Sequence, residues 1–236
     1  MWRQTDYAFQ GDHFQMDKPH NILPKPYKAS HPAMWVACGS PATYEKAGRM
    51  GIGALGFNFS PISAMKPQID SYKEGAANCT NPVGDYQNNN VMITSAVACF
   101  KDRDHARQAA CRPNRGYIFS LVCLYHDTFP VPDGAPVWPN QAPPMPMEHV
   151  DAAINAGAML CGNPDEVCEQ LRAFEDAGMD QLVFGIPNHL QPDEVHECLE
   201  VFGKHVIPEF DKDPLHSTTR YRNAATGGAF QSVAAR

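Results

Sequence analysis

Short apolar runs alternate with longer amphipathic stretches along most of the 236 residues. Met34–Cys38, Ile52–Phe57, Val91–Phe100 and Gln181–Gly185 are runs of strand length with few polar interruptions. Nearly continuous apolar runs belong to strands covered on both faces, as in parallel sheets. Between them the period lengthens. Ile62, Met65, Ile69 and Tyr72 recur at helical spacing, as do Val167, Leu171 and Phe174, with Met179 just beyond. Ser40-Pro41 and Ser60-Pro61 read as helix starts, a capping residue followed by Pro at the first helical position. Asn163-Pro164-Asp165-Glu166 adds acids in the first turn, which suit the helix dipole, and Gly178 marks that helix's end.

The pattern predicts helices over 42–49, from 62 onward, over 147–156, from 164 and over 192–202. A helical pattern also runs from Asp102 to Phe129, with Pro113 as a break. Asn78–Asn90 is rich in Asn, Pro and Gly and reads as a loop. Pro130–Pro146 holds seven prolines and cannot be regular structure, so it is a candidate lid over a site. The expected organisation is an irregular, Pro-rich opening segment over 1–33, a β/α unit over 34–210 and a disordered polar tail over 211–236. Strands alternating with helices imply parallel β/α units. A full eight-unit barrel takes about 250 residues. Four units with their loops already use most of this chain, which leaves an open four-stranded sheet or the back half of a barrel.

Composition narrows the partners. The formal net charge is −7, from 19 basic and 26 acidic residues, so nucleic acid and anionic membranes are poor partners. No apolar stretch is long enough for a transmembrane helix, and the polar N-terminus lacks a secretory h-region. Eight cysteines without a Cys-x-x-Cys pair, several within apolar runs, read as reduced core thiols of a cytoplasmic protein.

Candidate chemistry is sparse. Gly39-Ser40-Pro41-Ala42-Thr43 lies between a strand and a helix, where a close-approach glycine, unpaired helix-start N–H groups and two hydroxyls could cradle a phosphate. The same letters also spell an ordinary Ser-Pro helix start. Gly51-x-Gly53-x-x-Gly56 matches a dinucleotide fingerprint in letters but falls within a strand rather than opening a helix. The ten histidines form no His-Glu-x-x-His, so no metal is expected. A Gly-x-Ser-x-Gly elbow is absent. Asp165/Glu166 and Asp193/Glu194 read as first-turn dipole partners rather than an acid–base pair.

Four pieces, in order, resemble the bacterial luciferase-like flavin monooxygenases. They are Asn21–Tyr27 with His31–Pro41, Ala47–Gly53, Cys161–Leu182 (through Cys161–Val167 and Phe174–Leu182), and Val201–Phe210. The resemblance covers about residues 1–210. It implies an α/β fold, the C-terminal half of a (β/α)8 TIM barrel, with parallel strands five to eight at 34–38, 52–57, 91–100 and 181–185 and flanking helices. It also implies reduced FMN, or alternatively the deazaflavin F420, with phosphate contacts on Gly39, Ser40 and Thr43 and Phe57 as a wall of the flavin ring. The implied reaction uses reduced flavin and O2 to oxygenate a small organic substrate, with a flavin reductase as electron source. The family's N-terminal half, which holds most residues near the reacting oxygen, has no counterpart here, so no catalytic residue can be assigned. Charge-assisted hydrogen bonds of about 1–3 kcal/mol each fall short of the roughly 8 kcal/mol of micromolar binding. Little flavin affinity is therefore expected of the chain alone. The alternative is a non-catalytic half-barrel, or a truncated fragment, acting only by association with another copy or a missing N-terminal half.

Overall fold

The computed structural model of the chain describes residues 1–27, 31–58, 60–113 and 143–226. Its centre is a parallel sheet. Strand β3 (Trp35–Ala37) pairs with β4 (Gly53–Phe57), and β4 with β5 (Val91–Cys99). The nine-residue β5 also pairs with β7 (Gln181–Gly185) along Met92–Ala96 and with the short β6 (Leu160–Gly162) along Val97–Cys99. The four strands expected from the apolar runs are thus parallel neighbours in chain order. Strand β6 is new: Ala158–Cys161 reads only as a brief apolar piece, and three residues are too few to show a period.

Two expectations are corrected. The opening segment is not irregular throughout. It carries an antiparallel hairpin, β1 (Tyr7–Gln10) with β2 (Gln15–His20). Among the described residues β2 pairs with β1 alone, and a two-stranded edge is where Pro19 is tolerated. The polar tail is not disordered throughout either, since Ser217–Thr226 is a helix. It docks through polar groups, with Asn90 Nδ2 donating to Thr218 Oγ1 (3.3 Å) and Ser217 Oγ donating to Asn90 Oδ1 (2.5 Å). A hydrophobic period could not reveal such a contact. Of the 102–129 helical pattern, Arg103–Ala110 is helix α3, and 114–129 lies outside the described residues, as does 130–142 of the Pro-rich stretch.

The remaining helices are α1 (Pro41–Arg49), α2 (Ile62–Ala77), α4 (Met147–Asn155), α5 (Pro164–Asp176) and α6 (Pro192–Val201). A π-helical turn (Phe202–Val206) and the short α7 (Ile207–Phe210) follow, and the tail helix is α8. Two of the three sequence capping signals are realised, and the third is corrected: α2 starts at Ile62 with Pro61 in the N-cap place and no side-chain cap, so Ser60 does not cap it. Ser40 caps α1, and Asn163 and Glu166 form a reciprocal capping box on α5.

Burial alternates along the strands. Ala54, Val91, Ile93 and Val97 face the helices and are buried with Ile69, Tyr72, Val167 and Phe174 in one core. Their neighbours Ala37, Phe57, Ala96, Val183 and Gly185 are exposed, and Leu55, Met92 and Thr94 are partly so. The register aligns these residues on one face, with Leu55 beside Met92, Phe57 beside Thr94, Thr94 beside Val183 and Ala96 beside Gly185. Among the described residues one face of the parallel sheet is therefore covered by helices, and the other is open to solvent at Ala37, Phe57, Ala96, Val183 and Gly185.

Helices α1 and α2 pack at glycines. A Cβ on Gly48 would lie 2.4 Å from the Tyr72 carbonyl oxygen, and one on Gly75 would lie 2.3 Å from the Glu45 carbonyl oxygen. Backbone cannot yield as a side chain does. Gly48→Ala and Gly75→Ala are each expected to lower stability by about 2 kcal/mol despite alanine's better helix propensity. Urea unfolding checks this, and a stabilised variant would show that the two helices are not so closely apposed.

Candidate functional site

In a parallel α/β sheet ligands collect outside the carboxyl ends of the strands. Here that edge begins at the β3–α1 turn. Cys38 N–H donates to the Leu55 carbonyl (2.8 Å), which keeps the chain in the sheet up to the turn. Gly39 and Ser40 are exposed and Thr43 is half-buried. A Cβ built on Gly39 meets nothing within 4 Å, so the space over the turn is open.

The Ser40 cap uses part of the turn's own hydrogen-bonding capacity. Thr43 N–H donates to the Ser40 carbonyl (3.0 Å) and lies 3.4 Å from Ser40 Oγ. Ser40 Oγ and Thr43 Oγ1 are 3.0 Å apart, so one hydroxyl proton bridges the pair and the other can donate outward. The first turn of α1, like that of α2, carries no acidic residue, in contrast to α3, α5 and α6. Its positive dipole end meets no carboxylate of its own. Open space, two clustered hydroxyls and an uncompensated helix start fit the terminal phosphate of a flavin. The structure brings Gly39, Ser40 and Thr43 together in this turn and places Phe57 on the adjacent strand, at the carboxyl end of β4 and 45% exposed on the bare face.

The adjoining floor is small. Ala37, Ala96 and Gly185 lie on the bare face near the strand ends. Asn58 follows β4 as a buried polar residue, its Nδ2 3.3 Å from Ser95 Oγ and 3.4 Å from the Gly157 carbonyl. Its Oδ1 has no partner among the described residues. Among those residues no cluster of three His, Cys, Asp or Glu is placed to hold a metal, and no helix is long and apolar enough to cross a membrane. Burial pushes the Cys99 and Cys161 thiols up to about 12, which leaves them protonated and unreactive.

Residues 1–181 match the family model described as luciferase-like monooxygenase. The chain belongs to that family. Among curated proteins it is similar to the F420-dependent glucose-6-phosphate dehydrogenase of Amycolatopsis mediterranei, 24% identical over 89% of this chain and 57% of that protein. Among solved structures it resembles the oxygenating constituent of the 3,6-diketocamphane monooxygenase of Pseudomonas putida in complex with FMN. There the TM-score is 0.61 and the identity 21%, over 89% of this chain and 59% of that one. An F420-dependent secondary alcohol dehydrogenase in complex with an F420-acetone adduct follows at a TM-score of 0.53 and 16% identity, over 87% and 56%. These structural likenesses show a shared α/β fold of the luciferase-like kind. The chain spans a little over half the length of the curated relatives it matches.

In this luciferase-like chain a charged network, not visible in the sequence, braces the mouth from the β7 side. Glu194 on α6 takes both Arg112 amino groups (2.6 and 2.7 Å), approaches His105 Nε2 (2.8 Å) and accepts from Gln191 N–H (2.8 Å). His105 in turn stacks on Phe100, which follows β5 (4.9 Å between centroids). In the sequence Glu194 reads only as a dipole partner. Its pairing with residues 82 and 89 positions away leaves no local signal. Arg112 above all, against the opposing effect of burial, lowers the Glu194 pKa to about 2. A depressed carboxylate contributes stability above its unfolded pKa of about 4.3 and loses it as pH falls toward the folded value. Glu194→Gln is expected to cost about 2 kcal/mol at pH 7, allowing for screening at the partly exposed Arg112. Urea titrations of both proteins check this. The difference should hold from pH 7 to 5 and shrink below roughly pH 4.5, whereas a constant difference down to pH 3 would show that Glu194 is not held ionised by this network.

Proposed function

We propose that the chain supplies strands five to eight, and the phosphate end of the cofactor site, of a flavin-dependent oxidoreductase barrel. The open β3–α1 turn beside a bare parallel-sheet face carries this reading. That face, continuous from Ala37 to Gly185, has the character of a barrel lumen whose other wall comes from an N-terminal half or a second copy. Among the described residues the edge strands β3 and β7 each have one neighbour and are the natural joints, since unpaired edges are a hazard unless covered.

The cofactor is FMN or the deazaflavin F420, which its relatives bind or depend on. Both flavin tails carry phosphate, so one turn suits either. When bound, the flavin supplies electron transfer and, with O2, oxygen insertion into a small organic substrate; the deazaflavin supplies hydride transfer. The chain's own residues bind and orient. Ser40 and Thr43 donate to phosphate, the α1 dipole favours its charge, and Phe57 walls the ring. A flavin reductase is the expected electron source for the FMN case. The buried, protonated thiols suit a reducing compartment such as the cytoplasm. The bare face also favours a second reading, in which the chain acts only through association with its other half.

Phosphorus NMR of FMN reads the proposed contact directly. The phosphate resonance should shift saturably as protein is added, at affinity well short of micromolar. Ser40→Ala with Thr43→Ala should weaken binding about tenfold or more, the worth of one to two charge-assisted hydrogen bonds. Ser40→Gly, which keeps most of the cap's stability, separates loss of the hydroxyl from fraying of α1. Unchanged affinity in the double variant would remove the phosphate assignment.

A further inference from the structure

A small cavity opens at the same carboxyl edge of the sheet, between the ends of β5 and β7. Its volume is about 130 Å3, and Ala96, Ala98, Met145, Met159 and Pro187 give it apolar walls. Ala96 belongs to the open face and pairs with Gly185, while Ala98 and Leu160 belong to the buried core, so the cavity lies between the proposed lumen and the helix-covered core. Two polar side chains reach it, His189 from the loop after β7 and Arg112 from beyond α3.

Their states differ. The Arg112 guanidinium is already neutralised by two short contacts to Glu194. The cavity therefore offers no spare positive charge for an anion. Both ring nitrogens of His189 are buried, and neither has a hydrogen-bond partner among the described residues. The Ala109 carbonyl lies near without completing a bond. Burial first, and Arg112 second, hold the imidazole pKa below its usual value, with Glu194 opposing. The ring is neutral at pH 7 and presents one donor and one acceptor. Leaving such a group buried and unpaired is costly, and the cost is relieved by any ligand that completes the bond.

We propose that this cavity is a subsite for a small neutral organic molecule carrying one alcohol or carbonyl oxygen, with that oxygen hydrogen-bonded to His189. The proposal rests on the flavin-dependent reading, because it names the substrate class that would sit beside the cofactor at this edge. The volume sets the scale. An apolar cavity of roughly 150 Å3 accommodates a benzene ring, so a ring of five or six atoms fits here. A carbonyl accepts from the imidazole N–H, and a hydroxyl donates to the bare nitrogen or accepts from the N–H. A hydrocarbon of the same shape fills the walls but leaves His189 unpaired. A carboxylate would be desolvated beside the Arg112–Glu194 pair with no cation left for it.

The test uses the full chain, labelled with 15N-histidine and titrated without any flavin. Cyclopentanone, cyclopentanol and cyclopentane are the probes. The His189 ring signals are identified by their loss in His189→Leu. Cyclopentanone or cyclopentanol should shift the His189 nitrogens saturably, with a dissociation constant near millimolar. Cyclopentane should bind roughly tenfold more weakly than the oxygenated ring, the value of one buried hydrogen bond. The two oxygenated probes separate a ketone site from an alcohol site. In His189→Leu that preference should vanish while apolar binding remains, and Ala96→Leu, which fills the cavity, should abolish binding of all three. No saturable shift, equal binding of cyclopentane, or a preference surviving His189→Leu would overturn the proposal. Phosphate shifts of FMN report on Ser40 and Thr43 independently, so failure at His189 and failure of the flavin reading give different results.

Discussion

A parallel sheet has two faces to hide, and this chain covers one of them. Strand β5 carries the constraint, because it pairs with β4, β6 and β7 and so sets the level of every strand end. Its odd-numbered residues Val91, Ile93, Ser95 and Val97 are buried beneath helices, while Met92, Thr94 and Ala96 look the other way and keep contact with solvent. A β-strand turns alternate side chains to opposite faces, so this division is fixed once the register is fixed. The sequence of the bare face is apolar, not charged. It has the composition of a covered surface, and parallel sheets are covered on both sides.

The site follows from that division. Because β3, β4, β5 and β7 run the same way, their carboxyl ends form one rim, and the β3–α1 turn, Phe57, Ala96 and the loop after β7 share it. Helix starts point at such a rim by construction, and those of α1 and α2 carry no acidic residue in their first turn, with a side-chain cap only on α1. Helices α5 and α6 put their own carboxylates there, and Glu166 and Glu194 are engaged by Arg107 and Arg112. Helix α1 instead presents Ser40 and Thr43. The polar network on the β7 side and the polar turn on the β3 side thus play different parts. The first fixes loops in place, and the second is open to a ligand.

Much of the sheet was legible because fully covered strands are written as unbroken apolar runs, and Ser-Pro and Asn-Pro-Asp-Glu starts are read by their local chemistry. The glycines at positions 48 and 75 were silent, since their role depends on one helix meeting another. The hairpin was missed because exposed strands such as Gln15–His20, all but one residue of which is exposed, carry no apolar alternation. Helix α8 was missed because Asn88, Asn90 and Thr218 hold it by side-chain hydrogen bonds. The Ser40–Thr43 turn was visible as letters but not as an open space. His189 showed nothing at all, because an unpaired imbalance of buried nitrogens exists only in three dimensions.

The claim at the centre is that the face bearing Leu55, Met92 and Val183 is the unfilled wall of a barrel. Methyl-resolved NMR with a soluble paramagnetic chelate measures it on the chain as it stands. The account predicts relaxation enhancement strongest at the Val183 methyls and clear at those of Leu55 and Met92, with protection at Ile93, Val97 and Val167. Equal protection of both sets would mean that the sheet is already closed on both sides, and the half-barrel account would fail with it.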